Sequence, residues 1–109
     1  MAVRRVASVI GVDPAGAAEY ERLHASVWDD VLRQIAASGI RNYSIYRYGH
    51  LLFSYYEYAG DDLDADLAAM AADPATQRWW ELCAPLQRPV PECASGQWWH
   101  VLDEVFHVD

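Results

Sequence analysis

The stretch Asn42–Tyr58, NYSIYRYGHLLFSYYEY, decides the fold. Two aromatic-rich runs, Asn42 to Tyr48 and Leu51 to Tyr58, flank the dipeptide Gly49-His50. Aromatic enrichment on both sides of a two-residue break is the pattern of an antiparallel hairpin with a short turn. Toward the N-terminus, Val3 to Val12 is dense in β-branched residues and reads as another strand. Between it and the hairpin, Tyr20, Leu23, Val27, Val31 and Ile35 recur at a helical period. Asp13-Pro14 supplies a capping residue with proline at the first helical position, and Gly39 supplies the stop. Toward the C-terminus, Asp61-Asp62 opens an alanine-rich helix to about Ala72. Asp73-Pro74 repeats the cap and starts a further helix to about Leu86. Pro89, Pro91 and Gly96 mark a loop, and Trp98 to Val108 reads as the last strand. The order is βαββαβ, with the second helix in two pieces, which predicts an α+β ferredoxin-like domain.

The 109 residues (1–109) are one domain's worth of chain. Eight basic against sixteen acidic side chains give a formal charge of −8. That balance argues against a nucleic-acid partner, whose phosphates need basic contacts, and against an anionic membrane surface. No run approaches the ~20 apolar residues of a membrane span. The first residues are too short an apolar stretch for a signal peptide, so a cytoplasmic location is expected. Cys83 and Cys93 lack zinc-site or redox-pair spacing and are expected to be free thiols. His50, His100 and His107 are scattered, so no metal is expected. There is no phosphate loop, dinucleotide fingerprint or nucleophile elbow.

Alternation along the strands predicts a sheet apolar on both sides. Val3, Ala7 and Val9 alternate with Val6, Ile10 and Val12, and Leu51, Phe53 and Tyr55 with Leu52, Tyr56 and Tyr58. Trp98, Leu102 and Phe106 alternate likewise with Trp99, Val101 and Val105. Helices cover only one face of such a sheet, and a large apolar face does not stay in water. The expectation is a homodimer packed face to face through its sheets, a ligand cavity under that face, or both.

Several side chains could carry chemistry. Tyr20, His24 and Trp28 are spaced i, i+4, i+8, so on one helix they share a face. Core packing explains that face; so does proton transfer, because histidine titrates near neutral pH. Trp79-Trp80 cannot both face one core, since neighbours on a helix lie about 100° apart. One should pack inward, and the other should meet a cleft, a partner or solvent. Tyr43 is placed on the second strand with Ile45 and Arg47. Glu57, Asp103 and Glu104 are acidic residues within strand patterns, with Arg5, Arg47 and Arg78 as possible ion-pair partners.

Taken together, YERLHASVWDDV (20–31), GIRNYSIYR (39–47), LLFSYYEY (51–58), TQRWWELC (76–83) and LDEVFHV (102–108) resemble the L-rhamnose mutarotase family over nearly the whole chain. The resemblance implies a ferredoxin-like fold, a dimer joined through the sheets, and interconversion of the α and β anomers of a 6-deoxyhexose without a cofactor. It makes His24 the proton donor and Tyr20, Tyr43, Trp79 and Trp80 the sugar contacts. Glu104 matches an acidic position of the family. After the histidine the family has Asn-Pro, where this chain has Ala25-Ser26. The same reaction on L-fucose stands as an alternative. A dimeric α/β-barrel monooxygenase or decarboxylase-like enzyme is the rival within catalysis, and a noncatalytic sugar-binding or dimerisation module is the rival from another class.

Overall fold

The computed structural model describes residues 3–109. Strand β1 (Arg4–Val12) is followed by a 3-10 turn and helices α1 (Ala17–His24) and α2 (Asp29–Ala37). The hairpin β2 (Ile40–Tyr48) and β3 (Leu51–Tyr58) comes next, then helices α3 (Leu63–Ala72) and α4 (Pro74–Cys83). Two short strands, β4 (Gln87–Arg88) and β5 (His100–Val101), complete the sheet. Its order is β2-β3-β1-β4, with β5 also on β1 and every pairing antiparallel. The ferredoxin-like expectation holds, and both acidic caps act as expected. The Asp13 carboxylate accepts from the Ala15 amide, and that of Asp73 accepts from the Thr76 amide and hydroxyl.

The structure corrects the sequence at two places. The first helical stretch is not continuous: α1 ends at His24, the chain opens over residues 25–28, and α2 begins anew. No proline or glycine stands there. Trp28 is extended, with φ −64° and ψ 142°, and Asp29 and Asp30 occupy the first turn of α2. Carboxylates at that position favour a helix start through the axial dipole.

The second correction concerns the last strand. Only His100–Val101 pair in the ladder, opposite Val9 and Ser8, and the Leu102 amide adds one bond to the Ala7 carbonyl. Beyond that, Val105, Phe106 and Val108 are exposed. The rest of the β1 edge is taken by β4, which pairs with Gly11 and Val12 and which the sequence placed at a helix end. That pairing needs glycine at position 11, because a Cβ there would stand 2.6 Å from the Arg88 carbonyl oxygen. The prolines and turns between Arg88 and His100 thus divide one edge position between two short strands.

Register separates the faces. Val6, Ser8 and Ile10 lie opposite Tyr56, Ser54 and Leu52, on the side that the helices cover. Arg5, Ala7 and Val9 lie opposite Glu57, Tyr55 and Phe53, on the side without helices. An irregularity between Arg41 and Ser44, with Asn42 at φ +49°, keeps Tyr43 on the helix side with Ile45. On the open side the Glu57 carboxylate accepts from Asn42 and Tyr55, and Arg5 holds Glu104 through two bonds. Arg47 pairs with Glu21. No helix is long and apolar enough to cross a membrane.

Candidate active site

Helix α1 is fastened to the sheet by Tyr20, which is 3% exposed and packs among Ile10, Val12, Leu52 and Trp79. One turn later, His24 stacks on the Tyr20 ring, with centroids 4.1 Å apart and planes 22° from parallel. Its Nδ1 lies 2.8 Å from the Tyr20 carbonyl oxygen. A carbonyl oxygen can only accept, so Nδ1 carries the hydrogen. In the neutral ring, Nε2 then keeps its lone pair. The Trp79 ring meets both His24 and Trp28 edge-on, each at 5.3 Å. The break after His24 is what lets Trp28 turn back to that ring from the start of α2.

A cavity of about 110 Å³ opens beside this group, lined by Tyr20, His24, Ile45 and Leu52, with Tyr46 and the Glu21–Arg47 ion pair also in its wall. That is well below the ~300 Å³ at which ordinary small-molecule pockets begin. A larger groove of about 430 Å³ between α2 and α4 is bordered by Asp30, Arg33, Gln34, Asp73 and Arg78, and holds neither histidine nor an aromatic ring. The smaller cavity is therefore the one that adjoins a titratable imidazole.

The electrostatics favour uncharged groups. Burial lowers the His24 pKa from its ordinary value, and the bond to the Tyr20 carbonyl opposes this only in part. Burial raises Tyr20 far above the usual phenol range, against a smaller opposing effect of its bond from Gln87. Tyr43 is pushed up to about 12, first by burial of its hydroxyl end and then by Tyr56 and Cys83. The residue as a whole is still 41% exposed. The Cys83 thiol is raised to about 11 by burial, which makes it a packing group and not a nucleophile. At neutral pH Tyr20 and Tyr43 are phenols that can donate, and His24 is an imidazole that can accept.

Of the residues singled out from sequence, Tyr20, His24 and Trp79 come together directly. Tyr43 meets Tyr56 edge-on at 5.7 Å on the same side of the sheet. Trp79 and Trp80 divide as their spacing requires: Trp79 is 5% exposed and Trp80 43%. Glu104 lies away from His24, paired with Arg5 on the open side. Gln87, a buried amide bonded to the Tyr20 hydroxyl, carries no sequence signal, because a single glutamine between Leu86 and Arg88 matches no motif. Among the described residues, no three His, Cys, Asp or Glu side chains converge as a metal site.

With this geometry in place, the chain can be compared with known proteins. The family model for L-rhamnose mutarotase matches residues 5–108. An L-rhamnose mutarotase of Opitutus terrae is 35% identical over 96% of this chain and 98% of its own length. An L-fucose mutarotase of Xanthomonas campestris is 32% identical over 97% of this chain and 89% of its own. Among solved structures, the L-rhamnose mutarotase FA22100 of Formosa agariphila superposes with a TM-score of 0.75 at 20% identity, covering 97% of this chain and 99% of its own. The tetracenomycin F2 cyclase of Streptomyces glaucescens, a type-II polyketide cyclase, shares the fold with a TM-score of 0.68 at 21% identity, over 96% and 95% of the two chains.

The protonation state of the imidazole is directly measurable. In a ¹⁵N NMR titration, His24 should titrate below 6.5, its ordinary value, and its neutral form should carry the proton on Nδ1. As pH falls through 6.5 the unfolded chain takes up this proton before the folded one does, so the same residue should make folding stability decline over that interval. A midpoint at or above 6.5, or a neutral form protonated on Nε2, would contradict the geometry.

Proposed function

We propose that this chain, which belongs to the L-rhamnose mutarotase family, interconverts the α and β anomers of L-rhamnose by acid/base-assisted opening of the pyranose ring. It is an isomerase. The observation that carries the mechanism is the His24 bond to the Tyr20 carbonyl, which leaves Nε2 free beside an aromatic-walled cavity.

Ring opening needs one proton removed from the anomeric hydroxyl and one delivered to the ring oxygen. Both oxygens are on C1, so one nitrogen can serve both. Nε2 takes the hydroxyl proton as C1=O1 forms and the C1–O5 pair moves onto O5. The imidazolium then gives that proton to O5. Rotation about C1–C2 and reclosure by the reverse steps yields the other anomer. His24 is thus the base for O1 and the proton donor to O5, and the ring ends neutral. Tyr20 and Tyr43 are assigned to sugar hydroxyls or the ring oxygen as donors, because their raised pKa values keep them protonated. Trp79 backs the imidazole and excludes water. Trp80 is an exposed ring one position on, available to the apolar face of the sugar.

We assign the open face of the sheet to a second copy of the chain. Partly exposed Ala7 and Phe53 lie at its centre beside the buried Val9, and exposed Tyr46 and Tyr48 lie on its β2 flank. A cytoplasmic setting fits the two unpaired cysteines. L-Fucose is the alternative substrate, supported by the Xanthomonas relative.

Two experiments test this. His24→Ala should lower the rate of anomer exchange by about 10²–10⁴-fold, the worth of one positioned acid/base group, while the protein stays folded. A loss below about threefold would remove His24 from the mechanism. Sedimentation at micromolar concentration should give a dimer, and a monomer there would refute the assignment of the open face.

A further inference from the structure

Gln87 is 7% exposed and its side chain is engaged at both ends. Its Nε2 donates to the Tyr20 hydroxyl at 3.3 Å. Its Oε1 accepts from the Trp98 indole Nε1 at 2.5 Å. An indole N–H can only donate. It therefore determines which way the amide points, since a flipped amide would set two N–H groups against each other. With the oxygen committed to Trp98, the NH₂ must face Tyr20, and the phenol oxygen must accept. A hydroxyl that accepts from an amide keeps its own proton for another acceptor. Among the described residues, no acceptor for that proton is present.

We propose that Gln87, oriented by Trp98, is a positioning residue that makes the Tyr20 hydroxyl a hydrogen-bond donor to the ring oxygen of the sugar. The proposal rests on the mutarotase function for the identity of the ligand. It supplies the polarity that ring opening needs. The Tyr20 carbonyl fixes His24 as an acceptor, and the Gln87 amide fixes the Tyr20 hydroxyl as a donor. The Tyr20 carbonyl and the Gln87 amide thereby set opposite roles for the two stacked rings. The donor steadies negative charge growing on O5 before the imidazolium delivers its proton. The indole also ties the loop ahead of β5 to the site, and the close β1–β4 approach allowed by Gly11 brings Gln87 within reach of α1.

Gln87→Glu separates this from simple packing. The variant is nearly isosteric, and its carboxylate accepts from both neighbours, so the Tyr20 proton turns toward it and away from the sugar. Its anomer-exchange rate should fall about tenfold, chiefly in kcat and as far as in Tyr20→Phe, the scale of a lost hydrogen bond. Added to Tyr20→Phe, it should change the rate by less than about twofold, because the two act as a unit. Gln87→Met leaves the phenol proton free and should lose only about threefold. Melting temperatures for all three report whether folding is preserved. A Gln87→Glu enzyme within twofold of the parent, or full multiplication of the two losses, would overturn the proposal.

A second readout does not depend on catalysis. The Trp98 indole proton, assigned by its loss in Trp98→Phe, should resonate downfield and move toward the solvent position in Gln87→Met. An unchanged resonance would also overturn the proposal. A responsive resonance in a protein that leaves sugar anomers unaffected would support the amide clamp and refute the mutarotase function.

Discussion

Tyr20 is bonded at both ends, through its carbonyl to the His24 imidazole and through its hydroxyl to the Gln87 amide, and the chemistry of the cavity follows from that. The first bond chooses the imidazole tautomer. Because the carbonyl belongs to the helix that carries the ring, the choice is local and does not wait for substrate. Burial reinforces it by disfavouring the imidazolium, so the resting site can take a proton. The aromatic neighbours act in the same direction. Trp79 and the Tyr20 ring pack against the imidazole with groups that carry no charge, while the Glu21–Arg47 pair stands elsewhere in the cavity wall.

The fold serves this arrangement by dividing labour between the two sides of one sheet. The helix side carries the apolar core and, at its margin, the cavity. The open side carries Ala7, Val9 and Phe53 together with ordered polar groups, the Arg5–Glu104 pair and the Asn42–Glu57–Tyr55 set. Apolar residues on both sides are the reason for assigning the open side to a second copy of the chain.

Much of the architecture was legible because its signals are local. Asp13-Pro14 and Asp73-Pro74 mark helix starts through side-chain caps, and the aromatic runs around Gly49 mark the hairpin through composition. The division of Trp79 from Trp80 follows from helical geometry alone. The less legible parts depend on tertiary contacts. The break after His24 has no proline or glycine to announce it and reflects the packing of Trp28 onto Trp79. The last strand has the alternation of a ladder element along its whole length, but the edge of β1 is already shared with β4, and the ladder closes after two residues. Gln87 is hidden for a related reason: its role depends on partners 67 residues before it and 11 after it. The family resemblance named Tyr20, His24, Tyr43, Trp79 and Trp80, whereas the direction of each hydrogen bond depends on the folded chain.

The function proposed for this cavity is to open and reclose a 6-deoxyhexose ring. Exchange NMR of the anomeric protons, with and without the protein, tests it most directly, using L-rhamnose and L-fucose in parallel. Faster exchange between the α and β signals of L-rhamnose than in buffer is the predicted result, with a smaller effect on L-fucose. Exchange of both sugars at the buffer rate, with folded protein in the tube, would contradict it.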